Sequence, residues 1–152
     1  MKTIKKLGIQ YKKNNNYYEI KGFGLDGYKT KRKLKINAGN SGTLARLILG
    51  LLVNSRNLIK LEGDKSLSKR DFSRVTEPLK MFGANIISND KKLPVQISGS
   101  RFLRPIKYFE KLGSAQCKSS IMLAALKTPG KTKIIAKKSR DHTELLYRNL
   151  NI

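Results

Sequence analysis

Apolar and polar positions follow two different periods along this chain. Leu44, Leu47, Ile48, Leu51 and Leu52 fall at i, i+3, i+4, i+7 and i+8, one face of an amphipathic helix. Cys117, Ile121, Ala124 and Ala125 give a second helical stripe, and Phe72, Val75, Leu79 and Phe82 mark a third. Pro78 interrupts the third stripe, so it must kink that helix or sit in its first turn. Residues 58–61 and 132–136 read as strands. Two further segments each read as a helix end, a glycine (Gly8, Gly83), a strand, a polar turn and another strand, with turns at 13–16 and 88–92. Helices and strands in alternation predict an α/β fold.

The same order of elements occurs twice. Gly8 and Gly83 are 75 residues apart, Gly39 and Gly113 are 74 apart, and Lys65-Ser66 and Lys138-Ser139 are 73 apart. The repeat predicts unit one at about 1–70, unit two at about 71–140 and the start of a third at about 141–152, where Thr143-Glu144 echoes Thr76-Glu77. Residues 1–7 match only the last turns of the helix ending at Phe82. The expectation is therefore a fragment that begins inside one unit and stops inside another.

A length of 152 residues suits one core or one lobe of a larger protein. With 39% apolar and 28% charged residues, the composition argues against wholesale disorder. The longest apolar run, 47–53, is broken by Gly50 and is too short to span a bilayer. No apolar stretch follows the basic residues at the start, so no signal peptide is expected. The single cysteine, Cys117, excludes an internal disulfide, and the two features together fit the cytoplasm. One His and one Cys leave little for a metal site, and none is expected. A formal charge of +23 points to an anionic partner, nucleic acid being the first candidate. The lysines are scattered, however, and Lys, Asn and Ile are abundant throughout, as a biased genome produces. There is no aromatic-rich strand of the kind that stacks RNA bases.

Asn40-Ser41-Gly42-Thr43 stands directly ahead of a predicted helix, where unpaired backbone N–H groups and the helix dipole favour an anion. The same residues also suit a plain N-cap. Gly42 would let a ligand come close to the backbone. Gly113-Ser114-Ala115-Gln116 repeats the device in unit two, with Ser114 able to donate to a phosphate oxygen and Gln116 offering amide donors and an acceptor. Each unit ends in a loop, one carrying Ser66, Lys69 and Arg70, the other Ser139, Arg140 and His142. Arg70 could clamp a phosphate or carboxylate with two hydrogen bonds, or be a surface arginine without a role. His142 reads as an oriented loop residue and Cys117 as packing. Phosphate-loop, dinucleotide and nucleophile-elbow motifs are absent from the sequence.

Taken together, four segments resemble the 5-enolpyruvylshikimate-3-phosphate synthase family, in its order and spacing. They are Asn37 through Arg46; Gly63 through Arg70 with Arg74-Val75 and Pro78-Leu79; Gly113 through Ser119; and Ser139 through Glu144. Asp71 departs from the family's usual proline, and Cys117 from its usual aliphatic residue. The resemblance implies an enolpyruvate-transferase lobe of repeated βαβαββ units, about two of them present here. It implies phosphoenolpyruvate binding by Gly42, Arg70 and Gln116. Shikimate 3-phosphate would meet Ser114, Ala115, Gln116 and Ser139, with Asn40, Thr43 and Arg46 shaping the first loop. It implies no cofactor, no nucleic-acid or membrane partner, and a monomeric whole enzyme whose acid–base residues lie outside this sequence. A sister enolpyruvyl transferase acting on UDP-N-acetylglucosamine and a basic nucleic-acid-binding module are the alternatives.

Overall fold

A computed structural model describes residues 2–24, 28–30 and 32–152. The elements run α1 (Lys2–Lys6), β1 (Gln10–Lys13), β2 (Tyr18–Lys21), β3 (Lys33–Asn37), α2 (Gly42–Leu51), β4 (Leu58–Glu62), a 3₁₀ turn (Leu67–Lys69), α3 (Ser73–Met81), β5 (Asn85–Asn89), β6 (Lys92–Ser98), β7 (Lys107–Glu110), α4 (Ala115–Ala125), β8 (Lys133–Ala136) and α5 (His142–Asn149). The order βαβαββ is complete once, from β3 to β6, and β7–α4–β8–α5 repeats its first four elements. Strands from both sides of residue 70 share one sheet, ordered β3-β4-β6-β5. A sequence period fixes the spacing of such a unit and leaves its origin open.

Register explains which face of that sheet is buried. β3 and β4 run parallel, pairing Ile36 with Leu61, and β6 joins β4 antiparallel, pairing Leu61 with Val95 and Ile59 with Ile97. These five side chains are fully buried, whereas the next row, Lys35, Lys60 and Gln96, faces outward. Period-two alternation thus puts one face on the helices and leaves the other in water. β7 and β8 form a second parallel pair, and β1 and β2 a separate antiparallel hairpin whose residues are almost all exposed.

The helices lie against the buried face. In α2 the buried positions are Gly42, Ala45, Ile48, Leu49 and Gly50, with Leu52 just beyond the helix; Leu44, Leu47 and Leu51 are only half-buried. The expected leucine stripe is therefore rotated. α2 is covered by a sheet on one side and by α4 on another, so small residues occupy its closest contact. A Cβ at Gly50 would stand 2.1 Å from the Ser120 carbonyl oxygen, and Ser120 Oγ donates to the Arg46 carbonyl at 2.8 Å. Phe72, Val75, Leu79 and Phe82 are all fully buried. Pro78 falls in the second turn of α3, where it deprives the Arg74 carbonyl of its helical donor. α5 buries no residue completely and is held to α4 by Lys118–Glu144 and by Ser119 Oγ against Thr143 Oγ1 at 2.6 Å. No described helix is long and apolar enough to cross a membrane.

Candidate functional site

The N-termini of α2 and α4 are brought side by side because those helices pack on each other. Ser41 caps α2, its Oγ accepting from the Leu44 N–H at 3.1 Å. The loop before it is tied to the loop after β4: Asn40 Nδ2 donates to Asp64 Oδ2 at 2.8 Å, and Asp64 Oδ1 accepts from the Leu67 N–H at 2.7 Å. That tether sets the 3₁₀ turn and with it Arg70. A Cβ on Gly42 would lie 2.8 Å from Arg46 Nη1 and 3.2 Å from Arg70 Nη1. Gly42 is buried, and the space freed by its missing side chain holds two guanidinium ends. No carboxylate of the described residues pairs with either arginine. Arg46 instead lies over the Phe72 ring, 5.2 Å from its centroid, and donates from Nη1 to Gln116 Oε1 at 3.0 Å.

Gln116 joins the two helices. Its Oε1 takes the Arg46 bond and its Nε2 donates to Thr43 Oγ1 at 2.7 Å, a link across 73 residues of sequence. Ser114 caps α4 by accepting from the Cys117 N–H at 3.3 Å, which leaves its hydroxyl proton free to donate. Gly113, Ser114, Ala115, Gln116, Ser139 and Arg140 line a cleft of about 440 Å³. Ser139 Oγ is buried with no hydrogen-bond partner among the described residues, an arrangement that costs free energy until something supplies one. A larger cleft, about 720 Å³, lies at the far end of α2 around Tyr28, Asn54 and Lys127. Neither repeated loop reaches it. It holds none of the motif residues, so the smaller cleft is the better candidate.

Behind the second loop stands Glu110, the last residue of β7, which is 2% exposed. Arg74 pairs with its Oε1, and its Oε2 accepts from the Ser114 N–H at 2.8 Å. Burial pushes this carboxyl up, but the Arg74 guanidinium and the Ser114 and Leu112 amides outweigh burial and hold it below the usual carboxylate range. A depressed folded-state pKa contributes stability that is present above the unfolded-state value, about 4.3, and is lost as pH falls through the folded value. Denaturation midpoints measured from pH 6 down to pH 3 should therefore fall more steeply for the natural chain than for Glu110→Gln.

The structure gathers Gly42, Thr43, Arg46, Arg70 and Gln116 into one cluster, with Asn40 one hydrogen bond behind it. Ser114, Ala115, Gln116 and Ser139 fall around the adjoining cleft. Cys117 is buried, as packing requires. Asp71 Oδ1 accepts from the Ser73 N–H at 2.5 Å, so the departure from proline gives α3 a side-chain acceptor at its start. Asp64 and Arg74 stand within the second motif, but the partners they take do not show in the sequence. Glu110 lies outside every motif, three residues before Gly113, where nothing in a single sequence distinguishes it from a surface charge.

Two helix N-termini thus stand together, with paired guanidinium groups at one and hydroxyl donors at the other, an arrangement that suits anionic ligands. Residues 1–152 match the family described as EPSP synthase (3-phosphoshikimate 1-carboxyvinyltransferase), and the chain belongs to that family. It is 41% identical over 147 residues to 3-phosphoshikimate 1-carboxyvinyltransferase of Streptococcus mutans serotype c, covering 95% of this chain and 34% of that protein. To the protein of that name from Vesicomyosocius okutanii subsp. Calyptogena okutanii it is 44% identical over 153 residues, covering 99% and 34%. An EPSP synthase structure from Acinetobacter baumannii aligns with a TM-score of 0.88 at 36% identity, over 97% of this chain and 34% of that one. The enolpyruvyl transferase NikO from Streptomyces tendae, at 16% identity and a TM-score of 0.57 over 99% and 32%, shares the fold. The chain thus spans about a third of the length of the curated relatives it matches.

Proposed function

We propose that this chain supplies anion-binding loops to an enzyme that transfers the enolpyruvyl group of phosphoenolpyruvate to the 5-hydroxyl of shikimate 3-phosphate, releasing phosphate. The observation that carries this reading is the pair Arg46 and Arg70 sharing the space above Gly42, neither of them in an ion pair with a carboxylate of the described residues. Two like charges so close are stabilised by an anion that binds between or beside them. In this reading Gly42, Arg70 and Gln116 serve phosphoenolpyruvate: the glycine makes room, the guanidinium grips, and the amide orients. Ser114, Ala115, Gln116 and Ser139 receive shikimate 3-phosphate, and Ser139 Oγ gains the partner it lacks. Asn40, Thr43 and Arg46 hold the first loop in shape.

The reaction adds the hydroxyl to C2 of phosphoenolpyruvate as C3 is protonated, then expels phosphate from the tetrahedral adduct. Donors fixed in advance around both phosphates and the carboxylate stabilise the charge that shifts in each step. A general acid and base are also required. Asp64 and Glu110, two carboxylates that adjoin these loops, are both committed to internal hydrogen bonds. In this reading the acid–base groups come from elsewhere, and the chain by itself binds without turning over. The reading places the enzyme in the cytoplasm as a monomer that needs no cofactor and acts on small anions, with no nucleic-acid or membrane partner.

The test is to titrate the purified chain with shikimate 3-phosphate and to assay phosphate release after phosphoenolpyruvate is added. Saturable binding without sustained release is expected, and turnover would overturn the division of labour. Stronger competition by UDP-N-acetylglucosamine would favour the sister transferase. Tight, steeply salt-dependent RNA or DNA binding with no selectivity for shikimate 3-phosphate would favour a nucleic-acid module.

A further inference from the structure

Glu110 presents a physical problem. It is a carboxylate almost wholly removed from water, placed directly behind a loop read as receiving an anion. An uncompensated negative charge there would repel the ligand and carry a heavy desolvation cost. Arg74 resolves both difficulties. Its guanidinium pairs with Oε1 of Glu110, leaving Oε2 to accept the Ser114 N–H at 2.8 Å. Ser114 is the N-cap of α4, and that bond fixes the first residue of the donor-bearing loop from behind. Neither Glu110 nor Arg74 lines the cleft.

We propose that Glu110 and Arg74 are positioning residues for the Ser114–Gln116 loop. Glu110 anchors the Ser114 amide so that the loop's remaining donors converge on a phosphate, and Arg74 neutralises the anchor so that it does not oppose the ligand. The inference rests on the function proposed above. It distinguishes the two residues by sign. Glu110→Gln removes the charge and one anionic acceptor but leaves no negative charge behind. Arg74→Gln leaves the Glu110 carboxylate uncompensated behind the loop, so it should harm anion binding more.

The experiment is a titration of the full chain with shikimate 3-phosphate, and in parallel with inorganic phosphate, read through the backbone amide resonances of Ser114, Ala115 and Gln116. Glu110→Gln should weaken shikimate 3-phosphate binding about tenfold and displace the Ser114 resonance in the free protein. Arg74→Gln should weaken it further. Ile121→Val, which trims a fully buried residue of the same helix, controls for lost stability and should stay within about twofold. Two results would overturn the inference: an unmoved Ser114 resonance in Glu110→Gln, or affinity losses that merely follow the unfolding midpoint across all three variants. If the natural chain binds neither ligand, the functional reading fails. The amide resonances of the free variants then still decide whether Glu110 positions the loop. Should Glu110→Gln not fold, Arg74→Lys keeps the charge but loses the planar fork, and a displaced Ser114 resonance with smaller loss of affinity is expected; an unmoved resonance counts against the inference.

Discussion

Replacing Gly50 with alanine should destabilise the chain by about 3 kcal/mol, at the upper end of what overpacking costs. Two effects oppose each other at this position. Alanine is the better helix former by about 1 kcal/mol, so in an isolated helix the substitution would be stabilising. In the folded chain the new methyl would stand 2.1 Å from the Ser120 carbonyl oxygen and 2.9 Å from its carbonyl carbon. That neighbour is backbone of α4 and cannot swing aside as a flexible side chain would. α2 and α4 must separate, and every buried contact between them loosens. Against a total stability of about 5–15 kcal/mol for a domain of ordinary size, such a loss is large. Urea denaturation of the two proteins measures it. Truncating the other side, Ser120→Gly, should give no rescue, because the obstructing oxygen belongs to the main chain. A Gly50→Ala chain more stable than the natural one would mean the helices do not meet this closely.

The second large effect is on binding. Arg70→Ala should weaken phosphoenolpyruvate binding by about 30–100-fold, corresponding to about 2–3 kcal/mol for a lost charge-assisted pair of hydrogen bonds. Stability should hold steady or rise slightly, since Arg70 is exposed and its removal relieves the crowding of like charge against Arg46. Arg70→Lys should recover only part of the affinity, because an ammonium offers the charge without the planar fork. Calorimetric titration beside a thermal melt reads both quantities. Loss of affinity and stability together would instead mark Arg70 as a structural residue.

The sequence made much of this visible for identifiable reasons. Helical stripes and the repeat were legible because burial imposes periodicity, and the four motifs stand at equivalent points of that repeat. The buried face of α2 is rotated from its leucine stripe because a helix covered on two sides buries its small residues most deeply, and hydropathy gives Ala45 and Gly50 little weight. The origin of the βαβαββ unit was not legible either. Pairing of β4 with β6 is a long-range fact about hydrogen bonds, and a period carries no information about it. At the site, Gly42 announced itself as a place of close approach, but what approaches is a pair of arginines from the chain itself. The Arg74–Glu110 pair was hidden because an ion pair between α3 and the end of β7 leaves no mark in either segment's pattern.

The bond from Gln116 to Arg46 and Thr43 has a thermodynamic corollary. The two loops belong to helices more than seventy residues apart in sequence, so the cluster they form has no counterpart in the denatured ensemble. A ligand that needs both loops can bind only the native state, and its binding free energy is then added to the stability of the fold. At a hundred times its dissociation constant such a ligand stabilises the protein by about 2.7 kcal/mol. Melting temperature thereby becomes a direct gauge of occupancy, readable by differential scanning fluorimetry without any assay of turnover.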